Sequence, residues 1–324
     1  MQIVDLHSDL FTDIAWRKSR GEKSVFDRLH YPRLKAGLID TIICVFWVEP
    51  TFRNRPLARI REIYNWVIDD LKNSNFAHIC HTLNDINGSK HTGKINIVMG
   101  LEGLSFLPPY KEQIPENFKQ LNEKNIHHMI LAWNEANDFA SGTGSVISSE
   151  KTGLTQLGRI AVSEANRLRW LVDVSHLDEQ SFWDLYHHSD ASIIASHSNV
   201  RTICDSDRNL TDSQLKAIAS RGGIIGLNAY WGFIDPDNRT VDRFIDHAIY
   251  MADLIGVESV AFGFDFMDYL APHDIGMNMA GTTEGLEDVT KIPFLLEKMS
   301  KRGFADKELE AIGFHNATRI LLRK

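Results

Sequence analysis

The stretch that decides the fold is QIVDLHSD, residues 2–9. Ile3, Val4 and Leu6 predict a short buried strand, and His7 and Asp9 stand at its end. Because side chains two residues apart on an extended chain point to the same face, one imidazole and one carboxylate converge there. Such a pair can open a metal site, but an isolated His-x-Asp is also typical of a solvated turn. The polar residues that follow the other strands therefore decide what this pair does.

Apolar runs of the same kind alternate with helical patterns along the chain. The predicted strands are residues 3–6, 41–47, 95–101, 128–132, 171–174, 192–195, 223–227 and 259–262. The predicted helices are residues 56–71, 155–169, 211–220, 241–255, 286–302 and 307–322, the third of which opens with a capping box of Thr211 and Gln214. Strands that alternate with helices imply a parallel sheet, and eight strands are the number that closes a barrel. We therefore predict an α/β fold, a (β/α)8 TIM barrel, with residues 1–324 as a single domain.

A doubly wound open sheet is the rival architecture. It would require a glycine-rich phosphate loop after the first strand, and His7-Ser8-Asp9 is not one. Two stretches, residues 103–117 and 267–284, are long enough to serve as lids over the strand ends.

Composition narrows the functional class. The 324 residues are 43% hydrophobic and 24% charged, which suits a large buried core. The net charge of −8, without a basic cluster, argues against a nucleic-acid or anionic-membrane surface. Cys44, Cys80 and Cys204 are widely spaced and contain no CxxC pair, which disfavours a disulfide framework. Since we find neither a signal-like N-terminal segment nor an apolar run of membrane-spanning length, we expect a cytoplasmic protein without a membrane anchor.

Acidic residues and histidines follow five of the predicted strands. In a barrel of this kind the chemistry lies at the carboxyl ends of the strands. The residues are His7 and Asp9 after the first strand, Glu102 after the third, His176 after the fifth, His197 after the sixth and Asp265 after the eighth. Each has an ordinary explanation by itself, such as a core histidine, a polar turn or a helix cap. Their convergence on one rim of a closed barrel indicates a metal-dependent site instead.

The residue types narrow the choice of metal. Imidazole and carboxylate without thiolate suit zinc, with manganese, cobalt or iron as alternatives. Five ligands suffice for two metals if Glu102 bridges them. A pair of metals roughly 3.5–4 Å apart can hold a hydroxide between them and stabilise a tetrahedral intermediate.

At these residues the chain resembles the membrane (renal-type) dipeptidases, a family of zinc peptidases on an amidohydrolase-like barrel. The matching segments keep the family's order and span nearly the whole chain: DLHSDL (5–10), GLEG (100–103), DVSH (173–176), SHS (196–198), DRNLTD (207–212), GFDF (263–266) and GFHN (313–316). The resemblance implies that His7 and Asp9 hold one zinc and that His176 and His197 hold the other. It also implies that Glu102 bridges the two.

The resemblance further implies how substrate is handled. Arg208 would receive the C-terminal carboxylate of a dipeptide, because a guanidinium matches a carboxylate bidentately. The sequence alone is equally compatible with a surface arginine that pairs with a neighbouring aspartate. Asp265 would be the acid/base residue. Members of the family often form homodimers, so we expect one here.

One position departs from the family pattern. Well-known members end the fourth strand in a histidine thought to polarise the scissile carbonyl. Here that strand is followed by Trp133 and Asn134, while His127 and His128 fall at the start of the predicted strand, the wrong end of the barrel. Either the Trp133 indole donates in that place, or Asn134 does, or the role is absent.

We therefore expect a zinc-dependent dipeptidase that uses a metal-bridging hydroxide and accepts dipeptides, including those with a C-terminal D-residue. The alternative is a metal-dependent deacylase or other amidohydrolase that acts on small N-acyl amino acids. A free α-amino group requires a carboxylate in the site, whereas an acyl group requires an apolar wall. A catalytically silent barrel that binds a ligand or partner is disfavoured by the intact ligand set, and a metal assay would separate it.

Overall fold

A sheet of parallel strands forms the centre of the molecule. The computed structural model describes residues 1–82, 85–88, 93–145, 152–277 and 281–321. The strands are β1 (Ile3–Ser8), β2 (Ile39–Trp47), β3 (Ala77–Ile79), β4 (Ile95–Glu102), β5 (Ile126–Ile130), β6 (Leu171–Asp173), β7 (Ile193–Ile194), β8 (Ile225–Leu227) and β9 (Val260–Phe262).

Helices follow most of the strands. The α-helices are α1 (Leu10–Ser19), α2 (Tyr31–Ala36), α3 (Pro56–Lys72), α4 (Asp85–Gly88), α5 (Ile114–Glu123), α6 (Gln156–Arg167), α7 (Glu179–His188), α8 (Asp212–Ser220), α9 (Trp231–Ile234), α10 (Val241–Ile255), α11 (Ile292–Lys301), α12 (Asp306–Glu310) and α13 (Asn316–Leu321). Two π-helical turns, Phe26–His30 and Ala311–His315, lead directly into α2 and α13. The predicted capping box of Thr211 and Gln214 is present at the start of α8.

Eight of the strands close into a barrel. Neighbours follow the order β7-β6-β5-β4-β2-β1-β9-β8, and their pairings are parallel. The ring closes where Ala195, just after β7, pairs with Ile225 of β8. There the Ala195 N–H donates to the Ile224 carbonyl at 3.0 Å, and the Gly226 N–H donates to the Ala195 carbonyl at 2.8 Å. The remaining strand, β3, pairs with the first half of β4 outside this ring. The (β/α)8 TIM barrel predicted from the sequence is confirmed.

Two apolar layers hold the barrel together. Val4, Ile43 and Val98 pack with Phe314 of the C-terminal segment in one buried cluster. The alternate residues of the strands, such as Ile42, point to the other face and pack with the helices in a second cluster. Since successive side chains of a strand point to opposite faces, a strand buried on both faces reads as a continuous apolar run. That is why the sequence pattern revealed the strands.

The strand predicted over residues 128–132 is displaced by two residues. It is observed as β5, Ile126–Ile130, so His128 lies in the middle of the strand and the prediction that it marks the start is wrong. The physical reason is that the His128 imidazole is fully buried and hydrogen-bonded within the barrel. A pattern based on apolar residues treats a histidine as polar and therefore places it at the end of a strand. The short strand β3 was also not predicted.

Only one of the two predicted lids lies over the strand ends among the residues that the structure describes. We call residues 267–277 the strap; its Met267, Leu270, Ile275 and Met277 line the cavity above the barrel. The other stretch, residues 103–117, buries side chains such as Phe106 against the helical layer and lines a separate cavity of about 670 Å³ beside α3.

Candidate metal centre

Four side chains meet at the carboxyl ends of β1, β4, β6 and β7. The Nε2 atoms of His176 and His197 lie 2.9 Å apart. Glu102 Oε1 lies 2.9 Å from His176 Nε2 and 3.9 Å from His197 Nε2. Its other oxygen, Oε2, lies 3.6 Å from His7 Nε2. The Glu102 carboxylate therefore stands between His7 and the histidine pair, with one oxygen toward each.

Asp9 and Asp265 complete the cluster on the His7 side. Asp9 Oδ2 lies 3.8 Å and Asp265 Oδ1 lies 3.9 Å from His7 Nε2. Ligand atoms of His7, Asp9 and Asp265 all lie within 4.8 Å of one another, as do those of His7, Glu102 and His197. Each of these side chains is buried. The structure thus brings together all six residues that the strand ends predicted.

Unusual backbone conformations present two of these residues. His176 has a φ of 69° and Asp265 a φ of 55°, a region that non-glycine residues adopt at a cost of order 1–3 kcal/mol. The Thr143 N–H donates to the His176 carbonyl at 2.9 Å and helps to hold that turn. Two residues before Asp265, a Cβ on Gly263 would lie 1.7 Å from the Ser196 carbonyl oxygen, so only glycine fits there. Two of the six non-glycine residues with a positive φ in the described part of the chain are therefore residues of this site.

Crowded charges shift the pKa values of the carboxylate side of the cluster. Burial alone would lower the pKa of His7, but the Glu102, Asp9 and Asp265 carboxylates outweigh it and raise that pKa to about 10. Burial, with Asp9 and Asp265 adding to it, raises the pKa of Glu102 well above its usual range. Burial likewise raises the pKa of Asp265 to about 6. Such a group of buried carboxylates calls for compensating positive charge.

His176 and His197 are held in the form that ligates metals. Burial, together with the positive charges of His7 and Arg208, holds the pKa of both imidazoles well below the usual range, so both are neutral. Asn134 Oδ1 accepts a hydrogen bond from His176 Nδ1 at 2.8 Å. Ser196 Oγ lies 2.7 Å from His197 Nδ1. Because the Asn134 oxygen can only accept, it places the His176 proton on Nδ1 and leaves the Nε2 lone pair free for a cation. The Ser196 hydroxyl can accept from His197 Nδ1 in the same way.

The arrangement fits divalent metal ions. Ligand atoms about 2.0–2.2 Å from a tetrahedral zinc lie roughly 3.3–3.6 Å from one another. The Nε2 and carboxylate separations of 2.9–3.9 Å around Glu102 bracket that range. Asp9 Oδ1, although buried, has no hydrogen-bond partner within the described part of the chain. A buried carboxylate oxygen without a donor, close to the Glu102 and Asp265 carboxylates, is a group that a cation would satisfy.

A cavity of about 200 Å³ opens above the cluster. Asp9, Glu102 and Asp265 contribute carboxylates to it, while Trp47 and Trp133 contribute aromatic walls. The two indole rings lie 5.1 Å apart, tilted by 56°. The strap forms the remaining apolar wall. The cavity therefore combines a polar, charged side with an apolar enclosure.

Arg208 adjoins this cavity. It is only 7% exposed, and its guanidinium carbon lies 5.2 Å from the ring centre of Phe233, which lines the cavity. One amino group donates to the His197 carbonyl at 3.2 Å, while Nε has no partner among the residues that the structure describes. The interpretation of Arg208 as an exposed arginine paired with a loop aspartate is not favoured by this position.

Trp133 and Asn134 follow β5 and both line the cavity. The Trp133 ring lies 5.9 Å from the His176 ring, and the Arg53 guanidinium lies 5.4 Å from its centre. Asn134 uses its side-chain oxygen on His176. Direct contact of Asn134 with substrate, and donation by Trp133, stay predictions.

The full sequence matches one known protein family. The sequence profile of the membrane dipeptidase family, peptidase family M19, matches residues 1–323. The chain belongs to this family. The resemblance seen in its motifs is thereby confirmed, and with it the class of metallodipeptidases.

Relatives of this family member include bacterial and fungal proteins. An uncharacterized Klebsiella pneumoniae protein from the pqqA 5′ region is 34% identical over 197 residues, which cover 58% of this chain and 69% of the relative. An uncharacterized dipeptidase of Schizosaccharomyces pombe is 30% identical over 244 residues, or 71% of this chain. The match spans 56% of that fungal relative.

A solved metallopeptidase structure shares the fold. A metallopeptidase from Rhodobacter sphaeroides, solved with a phosphinate mimic of the dipeptide L-Ala-D-Ala, superposes with a TM-score of 0.86 at 22% identity. The superposition covers 100% of this chain and 99% of that one. In this member of the family, no helix within the described residues is long and apolar enough to cross a membrane.

Some residues of the site were not found by sequence reasoning. Asn228 Nδ2 donates to Asp265 Oδ2 at 3.0 Å, and Trp47 places its indole in the cavity wall. Both stand at strand ends, Asn228 directly after β8 and Trp47 as the last residue of β2. The same strand-end rule that identified the ligands could have found them, had amide and indole groups been considered beside histidines and carboxylates.

Proposed function

We propose that this protein is a zinc-dependent dipeptidase that hydrolyses the peptide bond of dipeptides with a free C-terminal carboxylate. The observation that carries the proposal is the convergence of five side chains, His7, Asp9, Glu102, His176 and His197, beside the buried Arg208 guanidinium. Its Nε has no partner within the described residues. The five side chains suit a pair of metal ions, and the guanidinium suits the carboxylate of a short substrate.

His7 and Asp9 would hold one metal, His176 and His197 the other, and Glu102 would bridge them. Two divalent cations there would polarise the scissile carbonyl and lower the pKa of the attacking water. The resident metal is proposed to be zinc, with manganese, cobalt or iron as alternatives. Elemental analysis of the purified protein would decide both the identity and the number of the metals.

Asp265 is proposed to carry the proton between the attacking water and the leaving amine. Burial raises its pKa to about 6, close to the value that lets one group act as base and then as acid near neutral pH. Asn228 donates to Oδ2, while Oδ1 faces His7, so the carboxylate has a defined orientation. The geometry supports proton transfer at Oδ1.

Arg208 is proposed to anchor the C-terminal carboxylate of the substrate. We expect Arg208→Lys to raise KM for free dipeptides much more than for dipeptide amides, because an ammonium replaces the fork of donors that fits a carboxylate. Steady-state kinetics on matched acid and amide substrates would measure the difference. An equal loss on both substrates would contradict the anchor.

We propose that a D-residue is accepted at the C-terminal position. Support comes from the Rhodobacter sphaeroides neighbour, which was solved with a mimic of L-Ala-D-Ala. A dipeptide library assayed with zinc-loaded protein, with L- and D-residues at the second position, tests both the activity and this preference. Absence of turnover across the library would sink the proposed function.

A deacylase of small N-acyl amino acids is the second candidate. The apolar wall of Trp47, Trp133, Leu270 and Ile275 is the observation that favours it, because an acyl group would pack there. The nearby Asp9 and Asp265 carboxylates favour a free amine instead. N-acetyl amino acids in the same assay would distinguish the two candidates.

We also propose a homodimer and a reducing, cytoplasmic location. The homodimer is proposed because members of the family often form one, and sedimentation equilibrium would test it. The location is supported by Cys44, Cys80 and Cys204, which are all buried and free.

A further inference from the structure

A buried carboxylate–histidine pair lies beneath the metal centre. Asp173 ends β6, His128 occupies the middle of β5, and both side chains are fully buried. His128 Nε2 lies 2.8 Å from Asp173 Oδ2. Burial alone would raise the pKa of Asp173, but hydrogen bonding to His128 and the charge on it lower that pKa instead. Asp173 is therefore an ionised carboxylate inside the barrel.

The other oxygen of Asp173 holds the turns that carry two metal-binding histidines. Oδ1 accepts hydrogen bonds from the Ser175 N–H at 2.9 Å and the Ser196 N–H at 3.1 Å. These serines directly precede His176 and His197. In addition, Ser175 Oγ accepts from the His197 N–H at 3.2 Å. One carboxylate thus joins the backbones that bring the two Nε2 atoms together.

His128 keeps its place at a structural cost. It pairs in register with Gly100 of β4, where a Cβ would lie 2.4 Å from His128 Nδ1. That Nδ1 atom is buried without a hydrogen-bond partner in the described part of the chain. A buried nitrogen left unpaired is destabilising, so the imidazole at this position needs a compensating contact. The contact with Asp173 is what the imidazole gains.

We propose that Asp173, oriented by His128, is a positioning residue that sets the separation of His176 and His197 and so tunes metal affinity at that half of the centre. The inference rests on the proposed metal-dependent function, because it concerns the same ligands. When a residue that orients metal ligands without itself binding the metal is removed, the metal affinity falls by about 10- to 100-fold. Asp173→Asn keeps the shape but cannot accept with both oxygens.

Asp5 provides a matched control on the opposite side of the centre. Its Oδ1 accepts from the His7 N–H at 3.3 Å and from the Phe264 N–H at 2.9 Å. Asp5 is as buried as Asp173 and joins β1 to β9 in the same manner, but next to the other set of ligands. Asp5→Asn therefore replaces a buried carboxyl by an amide of the same shape and leaves the His176/His197 turns untouched.

The test uses the full chain in a His7→Ala background, where His176 and His197 remain as the intact pair. Zinc affinity is measured by equilibrium dialysis against a competing chelator. Adding Asp173→Asn should weaken zinc binding about 10- to 100-fold, whereas adding Asp5→Asn should change it by no more than a few-fold. In the otherwise wild-type protein, excess zinc should restore kcat to Asp173→Asn with KM little changed.

The His128 position gives a second route if Asp173→Asn does not fold. His128→Gln keeps a donor for Asp173 and should retain zinc affinity, while His128→Leu should lose it to a similar degree as Asp173→Asn. Equal zinc affinity in the Asp173 and Asp5 variants, or in the two His128 variants, would overturn the inference. A wild-type protein that binds no divalent metal would instead overturn the proposed function.

Discussion

Asp265 is the residue on which the proposed proton transfer depends. We expect Asp265→Asn to lower kcat about 10²- to 10⁴-fold, the usual contribution of general acid–base catalysis, because asparagine keeps the shape but cannot carry the proton. Both metals should remain bound, and KM should change little. Steady-state kinetics with parallel elemental analysis measures both.

An exposed aspartate supplies the control for that variant. Asp205 lies on the surface, so Asp205→Asn should behave as wild type. A near-normal kcat in Asp265→Asn would move the acid/base role to another group. Loss of one metal would make Asp265 a ligand, which its 3.9 Å distance from His7 Nε2 allows.

Trp133 is packed as a wall of the cavity. The Trp47 ring lies 5.1 Å from it, and the Arg53 guanidinium lies 5.4 Å from its centre. We expect Trp133→Phe to stay within a few-fold of wild type in kcat, while Trp133→Ala raises KM through lost packing. A kcat loss of about 10²- to 10³-fold in Trp133→Phe would instead identify the indole N–H as a donor to the developing oxyanion.

Single residues differ in how well the sequence reveals them. His7, Glu102 and His176 were predictable because each follows an apolar run, and a parallel barrel brings such positions together. His128 was not, because a charged or polar side chain within a strand interrupts the apolar pattern while its partner Asp173 lies 45 residues away. Sequence spacing reports the end of a strand, but it does not report which polar groups pair inside the barrel.

Among the structural elements, the strap is held to helix α1 by a contact that mutation can test. His273 Nε2 lies 2.6 Å from Asp13 Oδ1, and His30 Nε2 lies 2.8 Å from Asp13 Oδ2. Arg20 donates to His273 Nδ1 at 3.2 Å, so His273 carries its proton on Nε2 and donates it to Asp13. Asp13 is fully buried in α1. The strap is thus tied to the first helix of the barrel through one carboxylate.

We expect Asp13→Asn to destabilise the protein by about 3–5 kcal/mol, the usual effect of removing one partner from a buried pair, since one amide N–H would face a histidine donor. The strap lines the cavity, so KM should rise more than kcat falls. Chemical denaturation and steady-state kinetics measure the two effects.

A surface aspartate gives the comparison. Asp69 pairs with Lys18 at 2.6 Å but is well exposed, so Asp69→Asn should alter neither stability nor KM by much. If Asp13→Asn lowers stability and leaves KM unchanged, Asp13 supports the helix and not the strap.

For the whole molecule, His247 predicts a loss of stability in acid. Burial lowers its pKa to about 4, outweighing the hydrogen bond to the Ile234 carbonyl, and its Nδ1 accepts from the Val200 N–H at 3.1 Å. The unfolded chain binds the proton near pH 6.5, so the stabilisation is complete above that pH. It is lost as pH falls from about 6.5 to 4, by about 3 kcal/mol.

Urea denaturation between pH 7 and 4 measures this dependence. His247→Gln cannot titrate and should show a shallower decline than wild type over that interval. The exposed His187 serves as control, and His187→Gln should keep the wild-type slope. Identical slopes in all three proteins would exclude His247 as the origin.

The barrel as a whole was predictable because its eight strands are short and almost uniformly apolar. That residues 1–324 form a single domain stays a prediction, and one cooperative unfolding transition would support it. The pairings themselves, such as the closure at Ala195, could not be predicted, because long-range register depends on packing inside the ring and not on local pattern.

The seam between β1 and β9 has a consequence for synthesis in the cell. Asp5 in β1 accepts its hydrogen bond from the Phe264 N–H, 259 residues further along the chain. Ribosomes add about 5–20 residues per second, so roughly 13–50 s pass between the synthesis of Asp5 and that of Phe264. During that interval one edge of β1 has no neighbouring strand, and an unpaired edge invites pairing with another nascent chain. Slower elongation late in the message would lengthen that exposure, so the yield of soluble protein should fall.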